Sequence, residues 1–460
     1  MKPLFWILSI VLLLAQASQT QAQNLRRRGT LGIEYTEASD SLLKTIGVGV
    51  TQGILVKQVA SGSTAAALGI LPNDILVAIN NTDSLYLFYF QQLEQKLYDN
   101  EPISVTYLRG KRKSRVVGYV LPKPKESSVG EVIYGEVPYQ RGYLRSIVHK
   151  PFGAQRFPAI LYFQSYECSS VEFSKDSLSP TKRLIDGWVK AGYAVMRVEK
   201  PGVGESHGTK DCSRLSYQEE LLAFQNAFAT LKKTPFIDST QVFFFGQAVG
   251  GMTAPLVAAR AAYKPRGIMV YGTVVKPWFE YMIDVFRKQP ALQRESPQSI
   301  EVNTRMMTPL LFEWLIHKKT ANELLQDPDF EAILTSKENP LSYNRGTFFG
   351  RNPIYFADLN SQNLPQAWAL AAVPTLAIHG EFDVQAISPE AAQNIVQIVN
   401  EVRPNKATYR LLKATDHLMA KFPSLEEYFR THKVGKYPAY VRENFNAEIV
   451  EMTVAWMKQQ

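Results

Sequence analysis

Hydrophobic and polar positions change their rhythm along this chain. From residue 29 to about 122, apolar residues come in short runs that predict strands, broken by turn residues and one or two small helices. The stretch "GILVKQVASGSTAAALGILPNDILVAINNTD" (53–83) alternates as a strand over residues 54–59. It turns at Ser61 and Gly62, passes through a short alanine-rich helix, and returns to a strand in "LPNDILVAIN". "PKPKESS" (122–128) carries prolines, charges and serines without periodicity, so residues 123–129 read as a linker.

From about residue 130 to the C-terminus, strands alternate with helices. "PAILYFQ" (158–164) is apolar without alternation, as a strand buried on both faces must be. "PTKRLIDGWVKAGY" is an amphipathic helix, "YAVMRVEKPGVGES" a strand with its exit loop, and "YQEELLAFQNAFATLKK" a helix. "QVFFFGQAVGG" and "RGIMVYGT" are strands, followed later by "VPTLAIHGEFD", a helix, the strand "ATYRLLK" and the terminal helix "NFNAEIVEMTVAWMKQQ". This order predicts an α/β architecture: a mostly parallel sheet with right-handed crossovers and helices on both faces. Residues from about 276 to 371 form a helical, aromatic-rich insertion in the position of a lid or cap.

Composition narrows the class. At 460 residues, with 45% hydrophobic and 20% charged residues, the chain has more than one domain and ample apolar material for a core. The formal charge of +9 is modest for this length. The basic runs "RRR" (26–28) and "RGKRKSR" (109–115) read as solvated faces or strand turns, so no nucleic-acid partner is expected. The N-terminus has one early lysine, an apolar run from Leu4 to Leu14 and a small-residue tail, which predicts a signal peptide over residues 1–22. That run is short of the roughly 20 residues a span needs, so an exported protein, periplasmic or secreted, is expected without a stable membrane span. The two cysteines, Cys168 and Cys212, are then expected to be bridged. Their spacing has no metal-site pattern, H-E-x-x-H is absent, and no metal or cofactor is expected.

The stretch from "GTLGI" (29–33) through "LPNDILVAIN" resembles the PDZ domains of exported bacterial proteases, a small mixed α+β fold. The resemblance covers residues 29–122. It implies that 88–100 is the groove helix and that Leu31, Gly32 and Ile33 form the carboxylate loop, where a glycine lets consecutive N–H groups point inward. Protein C-termini could then add as a strand to the sheet edge, or the module could serve only as a spacer or lid. Asn73 stands where the pattern usually has glycine, a turn position with positive φ.

The stretch "FFFGQAVGGM" is strand, glycine-bracketed turn and small-residue helix, the layout of the nucleophile elbow G-x-S-x-G. Asp383 in "HGEFDVQ" and His417 in "KATDHLM" follow in the order nucleophile, acid, histidine, each just past a predicted strand. Residues 130–460 therefore resemble an α/β-hydrolase, nearest to exported bacterial esterases and peptidases. The resemblance implies a catalytic set at position 248 with Asp383 and His417. It implies an oxyanion hole from the Val249 N–H and an N–H of the loop around Ser165 and Tyr166, and elbow glycines at Gly246 and Gly250. It also puts Cys168 and Cys212 in the loops beyond two neighbouring strands, beside the pocket. "PGVGES" lacks the Lys-Ser/Thr ending of a phosphate loop.

The nucleophile position holds Ala248. A methyl group cannot attack a carbonyl, and Thr253 and Ser165 are poor substitutes. The expected protein is a serine hydrolase of ester or peptide bonds, inactive or nearly so as written. A natural pseudoenzyme and a serine-to-alanine change in an active enzyme fit equally well. The alternatives are a non-catalytic protein that holds a ligand or peptide in the old pocket, and an assembly factor working through the PDZ groove.

Overall fold

The computed structural model describes residues 24–47, 49–83, 85–174 and 176–460. The expected signal peptide, 1–22, lies outside them. Two sheets organise the chain. The first contains β1 (Ile33–Glu37), β2 (Ile54–Val59), β3 (Ile75–Ile79), β4 (Thr82–Asp83), β5 (Pro102–Arg109) and β6 (Arg112–Tyr119). All pair antiparallel in the order β1-β2-β3-β5-β6, with β4 on β3. Ile54, Val56 and Val105 turn one face inward against Phe90 of helix Leu87–Glu94. This helix stops short of the 88–100 expected from sequence. Asn73 has φ 71°, the value for which glycine is usual.

The second sheet contains β7 (Glu131–Tyr139), β8 (Gly142–Lys150), β9 (Phe157–Phe163), β10 (Ala194–Val198), β11 (Ile237–Gln247), β12 (Gly267–Tyr271), β13 (Thr375–Gly380) and β14 (Ala407–Leu412). Their order is β14-β13-β12-β11-β9-β10-β8-β7, parallel except where β8 pairs with β10 and β7 with β8. This is the α/β-hydrolase fold. Alternate residues of each central strand serve opposite cores. Leu161, Phe163 and Phe244 pack toward helices Tyr217–Lys233 and Val249–Arg260. Ile160, Tyr162, Phe243 and Phe245 pack toward Pro180–Lys190 and Glu448–Met457. Both faces need apolar residues, so the strands show no alternation.

Two regions depart from the sequence reading because partners distant in sequence neutralise their charges. Glu126, in the expected linker, is buried against His149 (2.8 Å) and Arg197 (2.7 Å). Burial raises its pKa, but these two partners outweigh that and hold it at about 2. Within "RRR", Arg27 is largely buried and paired with Glu172 (2.9 Å) and Glu205 (2.8 Å), so it is not a solvated face. Both clusters tie these N-terminal segments to residues on and around the second sheet. Among the described residues no helix is long and apolar enough to cross a membrane.

Candidate active site

The elbow starts at the end of β11. Ala248 holds φ 50° and ψ −121°, a strained conformation for a residue with a β-carbon, and helix Val249–Arg260 begins directly after it. The turn is tight enough to need its glycines. A β-carbon on Gly246 would lie 2.5 Å from the Gly250 carbonyl oxygen, and one on Gly250 would run into the carbonyl oxygen of Phe163 on β9. Strand, turn and helix therefore close on one another only without side chains there.

The acid and the histidine follow β13 and β14. His417 Nδ1 lies 2.9 Å from both carboxylate oxygens of Asp383, and Asp383 Oδ1 also accepts the N–H groups of Gln385 (3.0 Å) and Ala386 (2.8 Å). Burial opposes the charge on Asp383, but His417 and the Ala386 N–H prevail and its pKa falls. Burial likewise opposes the imidazolium, yet the Asp383 charge prevails and the pKa of His417 rises above its ordinary 6.5. The main chain of His417 is tied to the elbow: Tyr162 Oη donates to Gln247 Oε1 (2.8 Å), and Gln247 Nε2 donates to the His417 carbonyl (3.1 Å). Tyr271 Oη donates to the Asp416 carbonyl. Sequence reasoning missed Gln247 and Tyr271, whose partners lie 170 and 145 residues away.

Ala248, Val249, Ser165, Tyr166 and His417 line one cavity of about 440 Å³. The structure thus brings together the residues expected to form the catalytic set and the oxyanion hole. Thr253 is absent from that wall, being buried with its hydroxyl on the Val249 carbonyl (3.1 Å) and the Tyr217 hydroxyl (3.0 Å). Tyr166 is a wall element whose ring meets Phe356 edge-on at 5.5 Å, and burial pushes its phenol up to about 12. A second cavity of about 880 Å³ shares Tyr166, Trp278 and Tyr281 with the first and continues to Phe349, Tyr428 and Phe429. Tyr428 and Phe429 belong to helix Leu425–Lys433, an element after His417 that the sequence reading did not resolve. Among the described residues no cluster of three or more His, Cys, Asp or Glu could hold a metal ion.

Cys168 and Cys212 form a disulfide that joins the segment after β9 to the segment after β10, two neighbouring strands. It closes a loop with a sequence separation of 44, so replacing both cysteines by serine is expected to cost about 3–4 kcal/mol in denaturant unfolding. The denatured, unreduced protein should take up no alkylating reagent; two reactive thiols would contradict the bond.

In the first sheet, Leu31 is buried in the core and Gly32 has φ 69°. The Gly32 N–H is taken by Thr30 Oγ1 at 3.1 Å, while the Leu31 and Gly32 carbonyls accept from Ala65 and Ala60. Among the described residues, β1, which Ile33 opens, pairs only with β2 within the sheet and touches helix Leu87–Glu94 through Tyr35 and Phe90, ring centroids 4.7 Å apart.

The family model described as "Serine aminopeptidase, S33" matches residues 175–421, more than half of the chain, a span that includes Ala248, Asp383 and His417. Among solved structures, the chain is similar to the alpha/beta hydrolase GrgF from Penicillium sp. sh18 at 13% identity and TM-score 0.41, covering 68% of this chain and 99% of that one. It is also similar to proline iminopeptidase from Mycobacterium smegmatis at 14% identity and TM-score 0.42, covering 71% and 98%. A third, Est1E from Butyrivibrio proteoclasticus with ferulic acid bound, shows 14% identity and TM-score 0.41, covering 66% and 98%. No curated protein matches the sequence.

Proposed function

The chain belongs to the serine aminopeptidase S33 family, and from that premise we propose a serine hydrolase built to cleave ester or peptide bonds of small substrates, lacking its nucleophile at Ala248. One observation carries the reading. His417, paired with Asp383, and Ala248 line a single cavity, and the Nδ1 contact with Asp383 leaves Nε2 of His417 as the base for whatever stands at position 248. Without an oxygen there, the chain as written is inactive or nearly so. The decisive experiment is fluorophosphonate labelling of the chain and of Ala248→Ser, in which only the serine form should react.

The cavity and the dyad persist intact around a methyl group, which favours a second reading: a binding protein that retains an acyl or peptidic ligand in the old pocket. A ligand held by the Ala248 chain, with the serine form silent toward esters and peptides, would leave binding as the function.

We assign residues 29–122 to the PDZ class and the mature protein to the periplasm or the exterior. The support for PDZ capture is the side of β1 that no described strand pairs with, lying beside helix Leu87–Glu94. A fluorescent peptide with an apolar last residue and a free carboxylate is expected to bind the whole chain. Amidation of that carboxylate should weaken binding about tenfold or more, through loss of charge-assisted hydrogen bonds to backbone N–H groups. Equal anisotropy titrations for the two peptides would reduce the domain to a spacer or lid.

A further inference from the structure

The loop after β9 has to present a backbone N–H toward the reacting atoms, and something has to aim that N–H. In a planar trans peptide the carbonyl and the following N–H point in opposite directions, so a pinned carbonyl fixes the N–H behind it. Two consecutive carbonyls of this loop are pinned by buried cations. Lys200 Nζ donates to the Ser165 carbonyl, and Arg351 Nη1 donates to the Tyr166 carbonyl at 3.0 Å.

Both cations converge on one carboxylate. Lys200 Nζ lies 3.2 Å from Glu220 Oε1, and Arg351 Nη2 donates to Glu220 Oε2 at 2.8 Å. Tyr355 Oη completes the set, donating to Oε1 at 2.9 Å, while its ring carries the guanidinium 3.8 Å away. The three charged side chains are 0–1% exposed. Arg351 Nη1 also meets Cys212 Sγ at 2.9 Å and Cys168 Sγ at 3.3 Å, so the same guanidinium braces the disulfide two residues beyond Tyr166. Lys200, Glu220 and Arg351 are absent from the wall of the 440 Å³ cavity, whereas Ser165 and Tyr166 are part of it. The cluster therefore grips the loop from the side opposite the reaction.

Burying three charges is expensive, and apolar residues of similar volume generally stabilise a core at least as well. What apolar residues could not do is hold two successive carbonyls. Arg351 and Tyr355 are carried by the cap insertion; Lys200 and Glu220 belong to the hydrolase core. We propose that this cluster sets the oxyanion loop: Lys200, on the Ser165 carbonyl, fixes the plane that carries the Tyr166 N–H, and Arg351 of the cap, by pinning the next carbonyl and holding Glu220 for Lys200, is a positioning residue that keeps that plane in place, so that the loop becomes competent only when the cap is seated. This rests on the hydrolase reading above.

Two assays test it. In the Ala248→Ser protein, Arg351→Met is expected to lower kcat about 10- to 100-fold with KM changed less than about threefold, because the donor serves the transition state and not the bound substrate. Arg351→Lys, which keeps the charge without the fork, should fall between. In the Ala248 chain itself, Arg351→Met should speed amide hydrogen exchange at Tyr166 and Glu167 at least about tenfold while leaving β9 protected. An unchanged kcat in a folded Arg351→Met variant overturns the proposal, as does unchanged exchange at Tyr166. If Ala248→Ser proves inert, the hydrolase reading has failed, and the exchange assay alone decides whether Arg351 holds the loop. Should Arg351→Met not fold, Tyr355→Phe removes a single bond to Glu220. It is expected to give a smaller change of the same sign in both assays, and no change in either would overturn the proposal.

Discussion

Ala248→Ser is expected to raise ester hydrolysis by several orders of magnitude and to make the protein reactive toward fluorophosphonates. Loss of the nucleophile from a working triad costs on the order of 10⁶ in turnover, so its return has a comparable range to recover. The backbone at position 248 already has the strained φ 50° and ψ −121° of an elbow, and the residues that enforce it are in place. The change adds one oxygen to a side chain that faces the cavity shared with His417. Little steric cost is expected, because the surrounding turn is shaped by Gly246 and Gly250 and not by the side chain between them. His417→Ala added to the serine form should abolish the gain, since the hydroxyl would have no base. The readout is hydrolysis of a broad ester and peptide panel together with active-site labelling. A serine form that folds normally and stays silent in both would sink the hydrolase reading.

Legibility in the sequence followed how local each signal was. The elbow could be read because "FFFGQAVGG" packs a buried strand, two obligatory glycines and a helix start into a few consecutive residues. The strands could be read because burial on both faces leaves an apolar run, and the dyad because Asp383 and His417 each follow such a run in order. Charge was harder to interpret. Arg27, Glu126, Glu220 and Arg351 look like surface residues in any local window, yet Arg27 is largely and the others fully buried against partners far along the chain, as Arg351 and Glu220 are across 131 residues. Nothing in spacing or hydropathy announces a pairing of that length. Gln247 was passed over for the same reason: a polar residue beside a catalytic position reads as filler until its amide is seen holding His417. The tertiary contacts that set the geometry of this site are thus the ones sequence pattern conceals.

The pH dependence of the serine form should report the Asp383–His417 pair directly. His417 must be neutral to accept a proton, and burial by itself would keep it so by lowering its pKa. The buried charge of Asp383 works in the other direction and prevails, so the imidazolium persists above the ordinary 6.5. Hydrolysis by Ala248→Ser is therefore expected to fall as pH drops through a midpoint above 6.5, with kcat/KM losing tenfold per pH unit on the acid side. Asp383→Asn removes the main charge that raises this pKa and leaves burial opposed only by Asp416 and Glu167. The acid limb should then move to lower pH, while activity on the plateau drops about 10⁴-fold because an amide no longer fixes the tautomer that directs Nε2 at the serine. The two effects separate the roles of Asp383, since the shift of the limb measures its charge and the drop of the plateau measures its orientation of the ring. An acid limb that stays in place in Asp383→Asn would mean that another group governs it. Asp416 would then be the first to examine, since it is buried beside His417 and its pKa is raised to about 6.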